Sequence, residues 1–354
     1  MTLSKHIINW YIKHKRDLPW RHTNNPYFIW LSEIILQQTR VEQGMPYYLK
    51  FTDKYKTVKQ LALAKDDDVM KMWQGLGYYN RAANMLNTAR IIMKEHEGVF
   101  PKTYNDLLKL KGIGPYTAAA VSSFAFDEAQ AVVDGNVNRV LSRIFCIDEP
   151  INSSLGKKIF TQLAQEILDD KQPALHNQAL MELGALVCKP RSPLCGECPV
   201  RLQCMAFAKK IVANYPVKIK ENKPQDRFLN YFFIDQKDKT FITQRTKNAI
   251  WKGLYELPNF ESEKTIESEK MISQKKFIML FGNIDELKVE KIFSKKHQLT
   301  HQTIYADFFK ITSPQKIKPL PEGFIQVRLT DLMKYAVPRL FDKFLNYLNL
   351  HSNL

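Results

Sequence analysis

Four cysteines crowd into residues 188–204 with the spacing C-x6-C-x2-C-x5-C. Four thiolates this close can surround one tetrahedral metal ion or an iron–sulfur cube, so the chain around them must fold back on that loop. An apolar, helix-like run from His176 to Val187 leads into the quartet, and a basic, proline-bearing stretch leads out. Cys188, Cys195, Cys198 and Cys204 therefore close a domain. Only Cys146 lies outside the group. This usage suits a reducing compartment and a metal site better than a disulfide framework. Cys146 falls in a helical apolar pattern and reads as core.

The 354 residues suffice for two domains. Residues 1–208 carry apolar side chains at three- and four-residue steps, as in Val137, Val140, Leu141 and Ile144, and read as helical. Residues 209–227, rich in lysine with Pro216 and Pro224, read as an exposed linker. Residues 228–354 read as α+β. Asn230–Asp235 and Thr240–Gln244 suggest a hairpin turning at Gln236–Lys239, and His301–Ile311 suggests a further strand. Segments 262–280 and 330–349 suggest helices. Lys and Arg total 52 against 36 Asp and Glu, a formal charge of +16, which favours a polyanionic partner. The N-terminus lacks the apolar segment of a signal peptide, and no run is long enough to span a membrane. A cytoplasmic, nucleoid-associated monomer is the expectation.

Three motifs carry chemistry. Gly112-Ile113-Gly114-Pro115 separates two helical stretches, and its glycines and the following helix start can present backbone amides to a phosphate. Asp134, in Val133-Asp134-Gly135-Asn136, opens an apolar-periodic helix; it is a natural N-cap and can also face a developing cation. Glu33 sits in a run from Phe28 to Leu36 that is otherwise apolar apart from Ser32. Such a glutamate is paired, protonated, or on the helix's one wet stripe. If buried, desolvation lifts its pKa toward a general acid's range.

Glu33, the glycine hairpin, Asp134 and the cysteine quartet stand in the order found in endonuclease III-like helix-hairpin-helix DNA glycosylases. Within that superfamily the chain resembles the MutY-type adenine DNA glycosylases. Leu18-Pro19-Trp20-Arg21, Trp30-Leu31-Ser32-Glu33, Leu36-Gln37-Gln38-Thr39, Gly75-Leu76-Gly77-Tyr78-Tyr79 and Asp134-Gly135-Asn136-Val137 carry the likeness. It runs from about residue 7 to 208 and continues more weakly to about 345. The resemblance implies a multidomain protein: an all-α helix-hairpin-helix glycosylase domain with an Fe-S loop, plus a C-terminal α+β Nudix-like domain.

On that resemblance the quartet holds a 4Fe-4S cluster, and Gly112 and Gly114 grip a DNA phosphate. Glu33 protonates adenine, Asp134 stabilises the sugar cation, and Tyr116 and Asn136 orient the sugar and the carboxylates. Tyr116 occupies the place where strand-cleaving relatives carry a Schiff-base lysine, which implies base removal alone. Trp20, Arg21 and Gln178 would line the pocket for the flipped base. Gln38, Thr39, Leu76 and Tyr78 would enter or wedge the duplex.

Trp251-Lys252-Gly253-Leu254-Tyr255-Glu256-Leu257-Pro258 resembles the start of a Nudix fold, without the Glu-rich helix that hydrolysis requires. The loop His297-Gln298-Leu299-Thr300-His301 corresponds to the family's 8-oxoguanine-reading loop, with Leu-Thr-His in place of Phe-Ser-His; Thr300 and His301 would meet the lesion. The implied partner is double-stranded DNA containing A:8-oxoguanine or A:G mispairs. Rival readings are a sister glycosylase acting on thymine opposite guanine, a lyase for oxidised pyrimidines, and a non-catalytic Fe-S DNA-binding module.

Overall fold

The structure is a computed structural model that describes residues 2–220, 224–236, 238–246, 250–282, 287–313 and 320–351. The expected linker, the expected turn at Gln236–Lys239 and the C-terminal end each include residues outside that set. The chain divides into two units, residues 1–63 with 84–220, and residues 64–83 with 221–354.

Described elements of the first unit are helical. They comprise α1 (Leu3–His14), α2 (Pro26–Leu36), α3 (Val41–Lys54) and α4 (Val58–Ala62). After α5 (Asp66–Trp73) of the second unit, α6 (Asn80–Glu95) is followed by α7 (Tyr104–Leu108), α8 (Pro115–Phe126), α9 (Gly135–Phe145), α10 (Ser154–Glu166), α11 (Pro173–Leu186) and α12 (Met205–Ala208). Local chemistry marks the starts that matter. Asn25 caps α2 by accepting from the Tyr27 N–H, and proline occupies the first turn of α2, α8 and α11. The strongly amphipathic α9 buries Val137, Val140, Leu141 and Ile144 in a core shared with Ile7, Tyr11, Leu180 and Leu183 from α1 and α11.

Gly184 sets how closely α11 meets the start of α9. A Cβ there would stand 2.6 Å from the Asn136 Cβ and 3.1 Å from its Cα and carbonyl carbon. Gly112 turns the α7–α8 loop with φ of +90°, and a Cβ there would meet the Asn84 Cβ at 2.9 Å. Residues beyond α12 stay with this unit. Ile151 N–H donates to the Val217 carbonyl, Arg143 Nε to that of Tyr215, and the Tyr215 hydroxyl to Asp148. Cys146 is not core as the pattern suggested: it is the half-buried, left-handed C-cap of α9, with φ of 49°.

The second unit is α+β. One sheet has the order β4-β1-β6-β5, from β4 (Asn259–Ser262), β1 (Gln225–Ile234), β6 (Gln302–Thr312) and β5 (Lys288–Gln298). The other has the order β3-β2-β7, from β3 (Tyr255–Glu256), β2 (Lys239–Gln244) and β7 (Phe324–Arg328). The expected hairpin is therefore corrected, because β1 and β2 belong to different sheets and, among the described residues, an isolated Gln236–Lys239 bridge is the only pairing between their ends. Leu229 to Ile234 is buried on both faces, as in a central strand, and β4 and β6 occupy both edges of β1. The helix expected over 262–280 reduces to a short 3₁₀ turn at Ser268–Lys270 and α13 (Lys275–Phe281). Pro338 breaks the one expected over 330–349 into a 3₁₀ turn at Leu329–Lys334 and α14 (Arg339–His351).

Residues 64–83 join this unit through polar bonds. Lys71 Nζ donates to the Tyr335 carbonyl at 3.0 Å, Gln74 Nε2 to Asp342 at 3.1 Å, and the Tyr79 hydroxyl to the Val337 carbonyl at 3.4 Å.

Gly184→Ala forces a methyl group against Asn136. It should lower unfolding stability by about 1–3 kcal/mol, measured by urea denaturation followed by far-UV circular dichroism. A wild-type midpoint would show that α11 can step back freely.

Candidate active site

α2 is apolar on nearly every side, so its burial takes Glu33 with it, leaving the residue only 7% exposed. Tyr116 enters from the first turn of α8 and donates its hydroxyl to Glu33 Oε2 at 2.7 Å. Burial raises the Glu33 carboxyl to about 7. The Tyr116 bond opposes that rise, the charge of Asp134 adds to it, and Arg21 subtracts from it. Burial lifts the Tyr116 phenol well above its ordinary value, so it remains a donor.

Asp134 caps α9. Its Oδ1 accepts from the Val137 N–H and its Oδ2 from Asn136 Nδ2, both at 2.7 Å. Burial pushes this carboxyl up as well, against the pull of the same two donors and of Arg139. Desolvation therefore outweighs the cap. Arg139 Nη2 donates to Asn136 Oδ1 at 2.8 Å, which fixes the amide with its NH₂ toward Asp134. The same guanidinium donates to the Gly184 carbonyl at 2.8 Å and, through Nε, to the Cys188 carbonyl at 2.7 Å.

Glu33, Tyr116, Asp134 and Asn136 line one cleft with Trp20, Arg21, Thr39 and Gln178; it holds about 190 Å3 of open space. Arg21 does not present a free fork to this cleft. It donates twice to Glu182, at 3.0 and 2.8 Å, and Arg16 donates to the same carboxylate from its backbone, Nε and Nη2. Burial alone would raise Glu182, but these cations outweigh it and hold the carboxyl at about 2. Arg16 and Glu182 also line the cleft and were missed in the sequence. Glu182 carried the signal that exposed Glu33, an acid inside an apolar helix. Gln38 is exposed, in left-handed backbone with φ of 53°.

The remaining expected contacts lie in the second unit. Tyr78, with φ of 48° between Gly77 and Tyr79, is 50% exposed, and its hydroxyl stands 2.7 Å from Thr300 Oγ1. Leu76 is only 6% exposed, so in this conformation it packs as core and does not form a wedge. Thr300 and His301 form the exposed turn between β5 and β6, closed by the Leu299 N–H donating to the Gln302 carbonyl.

All four clustered cysteines are free thiols lining one cavity walled by Val140, Ile144, Leu183 and Val187. Arg143 Nη1 lies 3.3 Å from Cys188 Sγ and donates to the Lys189 carbonyl at 2.8 Å. Among the described residues no three His, Cys, Asp or Glu side chains converge on a single point as one ion's ligands would. Burial, with the neighbouring sulfurs, raises Cys198 to about 11 and lifts Cys195 and Cys204 too. A group of thiols crowded at this cost fits a cationic inorganic centre that would take them as thiolates.

Residues 31–166 match the HhH-GPD superfamily of base excision DNA repair proteins, and residues 230–347 match the NUDIX domain. The chain is 35% identical over 306 residues to the adenine DNA glycosylase of Buchnera aphidicola subsp. Schizaphis graminum, covering 86% of each chain. It is 42% identical over 209 residues to that of Homo sapiens, covering 56% of this chain and 38% of the human one. Among solved structures, a thermostable thymine-DNA glycosylase aligns with a TM-score of 0.54 at 31% identity, over 58% of this chain and 95% of that one. A non-covalent endonuclease III–DNA complex aligns with a TM-score of 0.51 at 20% identity, over 59% and 94%, a likeness of fold. A helical repair domain followed by a NUDIX domain, matched along most of its length by adenine DNA glycosylases, places this chain in the MutY-type adenine DNA glycosylase family of base-excision-repair enzymes.

Proposed function

We propose that this glycosylase hydrolyses the N-glycosidic bond of adenine mispaired with 8-oxoguanine or guanine in duplex DNA, without cutting the strand. The observation that carries the reading is the Tyr116–Glu33 hydrogen bond in a cleft that Asp134 also lines. Glu33, raised to about 7, holds a proton at neutral pH in a useful fraction of molecules. It gives that proton to a ring nitrogen of the extruded purine. The C1′–N9 electron pair then leaves with the base. Asp134, of the two carboxyls the one with the larger set of donors, faces the oxocarbenium-like sugar. Water adds at C1′ and returns a proton to Glu33. The products are free adenine and an abasic site. Tyr116 brings a phenol where a lyase needs an amine, so no Schiff base forms there.

The second unit supports the mispair. Tyr78 is exposed and bonded to Thr300 in the turn that corresponds to the lesion-reading loop. The solved thymine-DNA glycosylase aligns with little more than half of this chain, whereas the Buchnera adenine DNA glycosylase aligns with 86%. That difference favours adenine over the thymine reading. The Gly112–Gly114 loop, opening α8, offers amides to a backbone phosphate.

The quartet is read as the holder of a 4Fe-4S cluster with a structural role. In such a cluster each thiolate takes its own iron, so the ligands ring a cavity as these four do. All four positions are protein thiols, leaving none for substrate.

Four duplexes test the activity: A opposite 8-oxoguanine, A opposite G, T opposite G, and an oxidised pyrimidine, with base loss and strand cleavage scored separately. Adenine should be lost from the first two without strand cuts, and Glu33→Gln should slow that loss by about 10²-fold or more. Rapid strand cleavage, thymine release, or full turnover by Glu33→Gln would overturn the assignment. Separately, anaerobically purified protein should contain about four iron and four sulfide per chain and absorb broadly in the visible; one zinc and no sulfide would refute the cluster.

A further inference from the structure

Gln178 is the cleft's one neutral amide besides Asn136, and a second residue behind the wall governs which end of it faces inward. Tyr11, on α1, is 1% exposed and lies outside the lining of the cleft. Its hydroxyl donates to Gln178 Oε1 at 2.6 Å. The direction of that bond follows from the surroundings. The Arg21 guanidinium lies 5.4 Å from the centre of the Tyr11 ring and the Lys15 ammonium 5.7 Å. Cations over the ring favour a phenol that gives its hydrogen rather than one that accepts another. The nearby carboxylate of Glu182 already accepts five N–H bonds from Arg16 and Arg21. The amide carbonyl of Gln178 is therefore the acceptor within reach. An amide whose carbonyl is taken from behind turns its NH₂ the other way.

We infer that Tyr11 is a positioning residue that locks the Gln178 amide with its two N–H donors toward the flipped base, so that this wall reads a ring-nitrogen acceptor of a purine. This rests on the proposed adenine chemistry. Adenine offers an unprotonated ring nitrogen at N1, where guanine carries N1–H. A fixed donor there is matched by the first and opposed by the second. An amide free to flip would present its carbonyl as readily and lose that discrimination.

A double-mutant cycle tests the inference, read as the single-turnover rate of adenine release from the A:8-oxoguanine duplex. Tyr11→Phe should slow release about five- to tenfold, the scale of one oriented hydrogen bond. Gln178→Ala should slow it at least as much. Tyr11→Phe added to Gln178→Ala should cost less than about twofold more, because a residue that acts through Gln178 has nothing left to orient. Equal multiplicative losses in both backgrounds, no loss in Tyr11→Phe, or no loss in Gln178→Ala would each overturn it. Should Tyr11→Phe fail to fold, Gln178→Glu serves instead. Tyr11 still donates to it, and an acceptor oxygen then faces the cleft, so adenine release should fall at least as far as in Gln178→Ala; wild-type release would contradict the inference. A wild-type protein that frees adenine from no duplex would instead defeat the underlying function.

Discussion

Burial of one carboxyl group is the constraint on which the rest of this site depends. Glu33 is carried into the interior because α2 is apolar almost all round, and an ionised carboxylate in such a place is costly. α8 answers with a single strong donor, the Tyr116 hydroxyl, which offsets only part of the desolvation. A group balanced this way titrates near neutrality. In the same cleft Glu182 meets the opposite fate. It is buried too, but two guanidiniums close on it and hold it at about 2. Two glutamates in one cleft are thus set to different protonation states by their partners. Such a split is how a single site supplies an acid while keeping a fixed counter-ion.

The second carboxyl is held by a longer structure. Asp134 takes its orientation from the first turn of α9 and from Asn136, Asn136 from Arg139, and Arg139 from the carbonyls of Gly184 and Cys188. Arg143, one turn further along α9, bonds the same cysteine loop. The loop that closes the domain is therefore also the far wall of the frame around Asp134. Loss of the loop's shape would reach the Asp134 carboxyl through two side chains, Arg139 and Asn136.

Much of this was legible in the sequence, and the failures have specific causes. Glu33 and Asp134 were visible because each breaks a local pattern, an acid in an apolar helix and a capping residue before an amphipathic one. Glu182 breaks its pattern in the same way, but its meaning lies with Arg16 and Arg21, more than a hundred residues upstream. Arg139 gave no local signal, since its Gly184 and Cys188 acceptors come from α11 and the cysteine loop. The grouping of residues 64–83 with the second unit depends on bonds from Lys71, Gln74 and Tyr79 to residues 335–342, which no local period encodes. The missed sheet assignment of β1 and β2 has a similar origin. A short turn proposes a hairpin, but the aromatic run Tyr231–Phe233 asks for burial on both faces, and that demand prevails.

The most direct measurement is the pH dependence of kcat/KM for adenine release, which reports the ionisation of the free enzyme's essential acid. In the proposed chemistry Glu33 works protonated, and its carboxyl is raised to about 7. Activity should therefore hold up to near pH 7 and then fall about tenfold for each further unit as the proton is lost. A descending limb in the ordinary carboxylate range, or a rate that climbs steadily through pH 7 to 9, would contradict a buried glutamic acid as the proton donor.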